Sequence, residues 1–242
     1  MIQPKVLIAI LHCDRKAHHQ TVCLESVYNQ KYSNYEVYHN IETHDMSNFN
    51  PLFDFVKKQP VKTEFDIWNY SSTWWQAPTY DQDQARLVPI CEGRNRAIEC
   101  AIDLGSEYLL FVDADMVIPY DTITQLMSRD KDMVGGYVRG RNDHKSAVYV
   151  FGSIGGITEH ANGLIECDHG NIGFVLIKRK VFEVLRFRRG RHCTMGHLQS
   201  DDPNYCFDWL NMWQGQRFFI DKLVEAKHVD ETVIPFHNGA QY

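Results

Sequence analysis

The sequence predicts an α/β chain with a mainly parallel central sheet and helices on both faces. Three observations predict it. Short apolar, β-branched runs recur at 6–11, 35–41, 108–112 and 133–138. Stretches with apolar residues at helical spacing lie between them, and the polar turns that end the strands carry acids, at Glu42 and at Asp113 and Asp115. With 242 residues, 44% hydrophobic and 23% charged, the chain has the composition of one globular domain.

Residues 6–11 read as a buried strand that runs into the polar His12-Cys13-Asp14-Arg15. A helix is expected over 19–29, where Val22, Cys23, Ser26 and Val27 fall at helical spacing, and a second strand over 35–41, stopping at Glu42. Residues 46–85 are poorly periodic and rich in Asn, Gln, Trp and Tyr, so irregular structure is expected, with Trp68, Trp74 and Trp75 as candidate contacts. The stripe Ala97, Ile98, Ala101 and Ile102 marks a helix over 92–103, with Gly105 placed to end it. Strand 108–112 then delivers Asp113-Ala114-Asp115 at its carboxyl end, and Pro119 opens a helix over 120–129. Parallel sheets bind ligands beyond the carboxyl ends of their strands, so the two acids stand where a site is expected.

Composition narrows the function. No apolar run reaches the roughly 18 residues that cross a bilayer, and the start shows no signal-peptide pattern. Seven scattered cysteines without a C-x-x-C pair suggest neither a disulfide framework nor a zinc site. A reduced, cytoplasmic protein is expected. The net charge of -6 argues against nucleic-acid binding by bulk charge. The stretch from Lys178 to His192 is the exception, because Lys178, Arg179, Lys180, Arg186, Arg188, Arg189 and Arg191 face the single acid Glu183. It reads either as a solvated basic face or as a docking patch for a nucleic acid or a phosphate-bearing glycan. Phosphate-loop, zincin and nucleophile-elbow motifs are absent from the sequence.

Two carboxylates two residues apart, past a buried strand, converge on one divalent cation if the backbone turns there. Their hard oxygens suit magnesium or manganese, which neutralises a departing diphosphate. Here the chain resembles the GT-A glycosyltransferases, family 2-like, whose signature is an Arg-Asn helix followed by an apolar strand and a metal-dependent Asp-x-Asp. Glu92-Gly93-Arg94-Asn95-Arg96 matches the first part, and Tyr108-Leu-Leu-Phe-Val-Asp113-Ala114-Asp115 matches the second.

The resemblance implies a single GT-A (Rossmann-like) domain over 1–242. Residues 1–118 would bind the nucleotide sugar, UDP-sugar favoured, and 119–242 the acceptor. It implies donor contacts at Leu11, Cys13, Glu42, Arg94, Asp113 and Ala114, and a manganese or magnesium ion on Asp115, Asp113 and His228. Asp202 would be the general base of an inverting transfer. Acceptor contacts are expected at Asp201, Trp74 and Asn171. Relatives more often carry Glu-Asp where this chain has Asp201-Asp202. Bland readings stand beside these. The acid pair suits a helix start before Pro203, Arg94 suits an ion pair, and His228 suits an ordinary strand end. Loop glycines at 155–156, 170 and 173 are assigned no chemistry. The acceptor is a glycan or a hydroxylated nucleic-acid base. The alternatives to glycosyl transfer are a nucleotidyltransferase and a non-catalytic nucleotide- or sugar-binding module.

Overall fold

The computed structural model describes residues 3–14, 17, 20–69, 79–138, 156–188, 201–212 and 217–229, with the side chains of 20, 79–86, 201 and 203 left aside. Trp74, Trp75, Gly155 and the end of the basic stretch, 189–192, lie outside the described residues. The strands are β1 (Val6–Cys13), β2 (Tyr35–Glu42), β3 (Thr63–Trp68), β4 (Tyr108–Asp113), β5 (Met116–Val117), β6 (Met133–Val138), β7 (Thr158–Glu159), β8 (Leu164–Cys167), β9 (Phe174–Lys178) and β10 (Phe218–His228). The helices are α1 (Gln20–Tyr28), α2 (Asn50–Val56), α3 (Thr79–Asp103), α4 (Thr122–Ser128), α5 (Arg179–Phe182) and α6 (Asp201–Met212). Among the described residues, no helix is long and apolar enough to cross a membrane.

The strands form one sheet in the order β3-β2-β1-β4-β9-β6-β10-β8-β7, with β5 paired to β10 off this path. β3, β2, β1 and β4 run parallel, as do β6 and β10. β9 runs antiparallel between β4 and β6 and joins the two parallel groups.

The near-continuous apolar run of β1 follows from burial on both faces. Val6, Ile8 and Ile10 pack on one face with Cys23, Leu24 and Val27 of α1 and with Phe49 and Leu52. Leu7 and Ala9 pack on the other with Ala97, Ile98 and Ala101 of α3 and with Tyr205, Cys206 and Trp209 of α6. The strand's two-residue period sorts neighbours to opposite layers. In β6, Gly136 leaves space that the Phe174 ring fills, and Gly135 is crossed by the Phe218 ring.

Residues 46–85 correct the expectation of irregular structure. A 3-10 turn at Met46–Phe49 leads into α2, where Pro51 sits in the first turn and costs no helical hydrogen bond. β3 is an edge strand in which Phe65 and Ile67 alternate with Glu64 and Asp66. Its acids masked a two-residue period. Helix α3 starts at Thr79, well before the predicted 92, and carries Pro89 inside it. At its end Gly105 takes φ +70, with its N–H bonded to Ile102 O and that of Ser106 to Ala101 O, which makes the expected stop.

A buried polar chain ties β1, β2, α1 and β3 together. His12 Nε2 lies 2.8 Å from His39 Nδ1, His39 Nε2 lies 3.0 Å from Tyr28 Oη, and Tyr28 Oη lies 2.9 Å from Thr63 Oγ1. Burial holds His39 well below the usual histidine range, and the neighbouring His12 adds to this. A histidine kept neutral in the fold contributes stability that is present above its unfolded value of about 6.5 and is lost as the pH falls below it. The His39 ring, followed by histidine-selective NMR, should stay neutral at acidities that protonate a free imidazole, while the melting temperature declines as the pH falls below about 6.5. A ring that titrates near its ordinary value, with a flat melting profile, contradicts this.

Candidate active site

The strand register builds the first part of the site. Leu11 of β1 stands opposite Asp113 of β4, and Cys13 of β1 opposite Glu42 of β2. Four of the expected donor contacts therefore form a row along the carboxyl edge of three parallel strands. The Glu42 carboxyl is pushed up by burial, countered by His44 and reinforced by Asp14. Asp14 fixes the loop beyond Glu42 by accepting from Thr43 Oγ1, from His44 N at 3.0 Å and from Asn48 Nδ2 at 3.3 Å. Burial alone would raise Asp14, but these bonds hold it below the usual carboxylate range.

After Asp113 the chain turns at Ala114 and Asp115, both buried, and returns as β5 against β10. This pairing sets Met116 opposite His228, and Val229 N donates to Asp115 O at 2.8 Å. Residues 115 and 228 are thus neighbours through their backbones. Among the described residues, no three Asp, Glu, His or Cys side chains form a ready-made metal cage. Magnesium and manganese characteristically keep substrate phosphates and water among their ligands and take one or two carboxylates from the protein, so such an ion needs no preformed protein cage. Asp113, Asp115 and His228 would hold such an ion.

The tripeptide Asn171-Ile172-Gly173 forms the floor between two acids. Gly173 lies directly against the Asp113 carboxylate, within the space a Cβ would occupy, and Asp113 N donates to Gly173 O at 2.7 Å. Asn171 Oδ1 accepts from Gly173 N at 2.7 Å, which holds the turn. Ile172 N, one residue away, donates to Asp202 Oδ2 at 3.3 Å. The other oxygen, Asp202 Oδ1, is ion-paired with the buried Arg94. So Arg94 stands with Asp202 and not in the Leu11–Glu42–Asp113 row. Asp201 begins α6, and its side chain lies outside those described.

Two residues escaped the sequence reading. Gly173 looked like an ordinary turn glycine. His169 is buried, its Nδ1 has no hydrogen-bond partner, and its ring lies 5.7 Å from that of Phe207. Burial lowers His169, while Asp168 and Asp202 pull it up. No motif flags either position. A surface groove of about 620 Å³ lies elsewhere, between α3 and β2–β3, where Asp66 and Glu92 pair with Arg96. Its lining does not include Glu42, Asp113 or Asp115.

The described cations of the basic stretch are engaged within the molecule. Lys178 pairs with Asp130 and Lys180 with Asp132, while Arg179 pairs with Glu183. Arg186 donates to the carbonyls of Phe182 and Leu185, and Arg188 clamps Asp208 with two bonds of 2.6 and 2.7 Å.

No family model matches the chain, and no curated protein matches it by sequence. Solved structures do match. The mannosyltransferase PcManGT from Pyrobaculum calidifontis, in complex with GDP-Man and Mn2+, superposes with a TM-score of 0.58, covering 98% of this chain and 59% of that one at 14% identity. TarS of S. aureus superposes at 0.57 over 94% of this chain and 37% of that one, at 15% identity. Its segment 1–349 in complex with UDP-GlcNAc gives 0.54, over 92% and 58%, at 15% identity. This chain therefore spans less than two thirds of these neighbours' lengths. The likeness is one of fold, and the fold is GT-A-like, α/β with a mostly parallel central sheet.

The packing of Gly173 on Asp113 makes a stability prediction. Gly173→Ala should cost about 1–3 kcal/mol in urea unfolding. The double variant Gly173→Ala, Asp113→Ala should cost less than the sum of its two single changes, because the clash partner is gone. Additive losses contradict the contact.

Proposed function

We propose that the chain is a glycosyltransferase that moves a sugar from a nucleotide-diphosphate donor to an acceptor hydroxyl, with inversion and with a divalent cation in its donor site. The observation that carries this reading is the shared floor at 171–173. It lies against Asp113, at the donor edge, on one side and donates to Asp202, the candidate base, on the other. A donor acid and a proton acceptor held by adjacent residues suit a single displacement centre.

The nucleotide lies across the carboxyl ends of β1, β2 and β4 in this reading. Glu42 accepts from the base or ribose. Leu11, Cys13 and Ala114 line the nucleotide, and Asp113 faces the ribose and diphosphate. Asp115, Asp113 and His228 hold manganese or magnesium, whose chemistry when bound is to neutralise the charge on the departing diphosphate. Asp202 takes the acceptor hydroxyl proton as that oxygen bonds to the anomeric carbon and the carbon–diphosphate bond breaks. Asn171, Asp201 and Trp74 belong to the acceptor side. A glycan acceptor is favoured over a nucleic-acid base, since the described cations from Lys178 to Arg188 are engaged by partners of their own.

The donors in the neighbouring complexes, UDP-GlcNAc and GDP-Man, set the first panel. UDP, GDP, CDP, dTDP and ADP, each with and without Mn2+, should be tested by thermal shift on the wild type and Asp115→Ala. UDP or GDP with Mn2+ should stabilise the wild type by about 2.7 kcal/mol at 100-fold excess over Kd, and Asp115→Ala should lose that gain. No response to any nucleotide overturns the reading. Nucleotide binding with no donor consumed would favour the non-catalytic module.

A further inference from the structure

We infer that Arg94 and Asn95 are positioning residues for Asp202, acting from α3 across the boundary between the two halves of the chain, and that Arg94 does not contact the nucleotide. The inference rests on the reading of Asp202 as the base. Helix α3 lies on the nucleotide half at Gly93, where an added Cβ would stand 2.7 Å from Asn40 Oδ1 and 3.2 Å from Leu11. The next two side chains leave that half. Arg94 pairs with Asp202 at the start of α6, and both side chains are largely buried, 7% and 15% exposed. The Asn95 amide grips the Phe187 peptide from both sides, donating to Phe187 O at 3.0 Å and accepting from Phe187 N at 2.7 Å.

These contacts close a ring. The Phe187 ring so held carries the Arg94 guanidinium 5.1 Å from its centroid and stacks on Tyr205 at 4.1 Å and 11°. Tyr205 lies three residues after Asp202 on α6, one turn along the same helix face. Phe111 of β4 meets the Phe187 ring edge-on at 5.7 Å and backs the guanidinium at 5.9 Å. Arg94, Asp202, Tyr205, Phe187 and Asn95 thus hold the beginning of α6 at one angle to α3. The planar guanidinium both stacks and pairs, which the ammonium of lysine does less well.

The test uses the full chain. UDP and GDP affinities with Mn2+ are measured by calorimetry, and hydrolytic release of UDP from UDP-GlcNAc and of GDP from GDP-Man, with water taking the sugar, by steady-state kinetics. The variants are Arg94→Lys, Arg94→Met, Asn95→Ala, Asp202→Asn and the double Arg94→Met, Asp202→Asn. Nucleotide Kd and donor KM should stay within about 3-fold of wild type, while kcat falls about 100-fold in Arg94→Met, less in Arg94→Lys, and about 10-fold in Asn95→Ala. The double variant should be no slower than Asp202→Asn alone, because Arg94 acts only through Asp202. A Kd weakened more than about 10-fold by either Arg94 variant places Arg94 on the donor and overturns the inference, as do additive losses in kcat. If Arg94→Met does not fold, Arg94→Lys and Asn95→Ala decide by the same criteria. A wild type that binds nucleotide but consumes neither donor removes the base reading on which the inference rests. Nucleotide affinity in the Arg94 variants would then still report separately on contact with the donor.

Discussion

The arrangement depends on one close approach, that of the 171–173 backbone to the end of β4. Gly173 sits where any side chain would displace the Asp113 carboxylate. That contact lets β9 start beside β4 and run antiparallel to it, which joins the parallel β3–β2–β1–β4 group to the second half of the sheet. It also puts the backbone N–H of Ile172 under Asp202. A larger residue at 173 would have to move either the acid or the strand, and interiors packed at crystal density transmit such shifts.

Acids gathered at a sheet edge repel one another, and the chain manages this in different ways. Asp14 is satisfied by a hydroxyl, a backbone N–H and an amide. Asp202 is balanced by a buried arginine, and breaking such a pair is far more costly than never forming it, because the remaining charge stays buried. Asp14 and Asp202 are thus both balanced by groups of the protein itself. Residue 115 is a backbone neighbour of residue 228, through the pairing of Met116 with His228 and the bond from Val229 N to Asp115 O.

The fold was legible where burial on both faces imposed a simple pattern. β1 and β4 are almost wholly apolar, so their polar carboxyl ends, at His12 and at Asp113, stand out in the sequence. The edge strand β3 was not legible, because Glu64 and Asp66 facing away from Phe65 and Ile67 resemble an unstructured polar stretch. The two-residue β5 is too short to leave a periodic signal, yet it brings residue 115 to residue 228. Arg94 shows the limit of motif reasoning. The Arg-Asn pair pointed to an important helix, but only the packing of Phe187 and Tyr205 shows that its side chains turn toward α6. His169 carries no signal in sequence, since a buried unpartnered ring nitrogen is a property of its surroundings.

In the proposed function, one nucleotide and one divalent cation share the carboxyl edge of β1, β2 and β4 with Asp115 and His228. A crystal structure of the protein grown with UDP and Mn2+, with GDP and Mn2+ as a second condition, tests it most directly. The expected result is the base beside Glu42, the diphosphate over Asp113 and Ala114, and anomalous density for manganese within bonding distance of Asp115 and His228. A nucleotide seated elsewhere, such as in the groove between α3 and β3, or manganese bound away from Asp115, would contradict it.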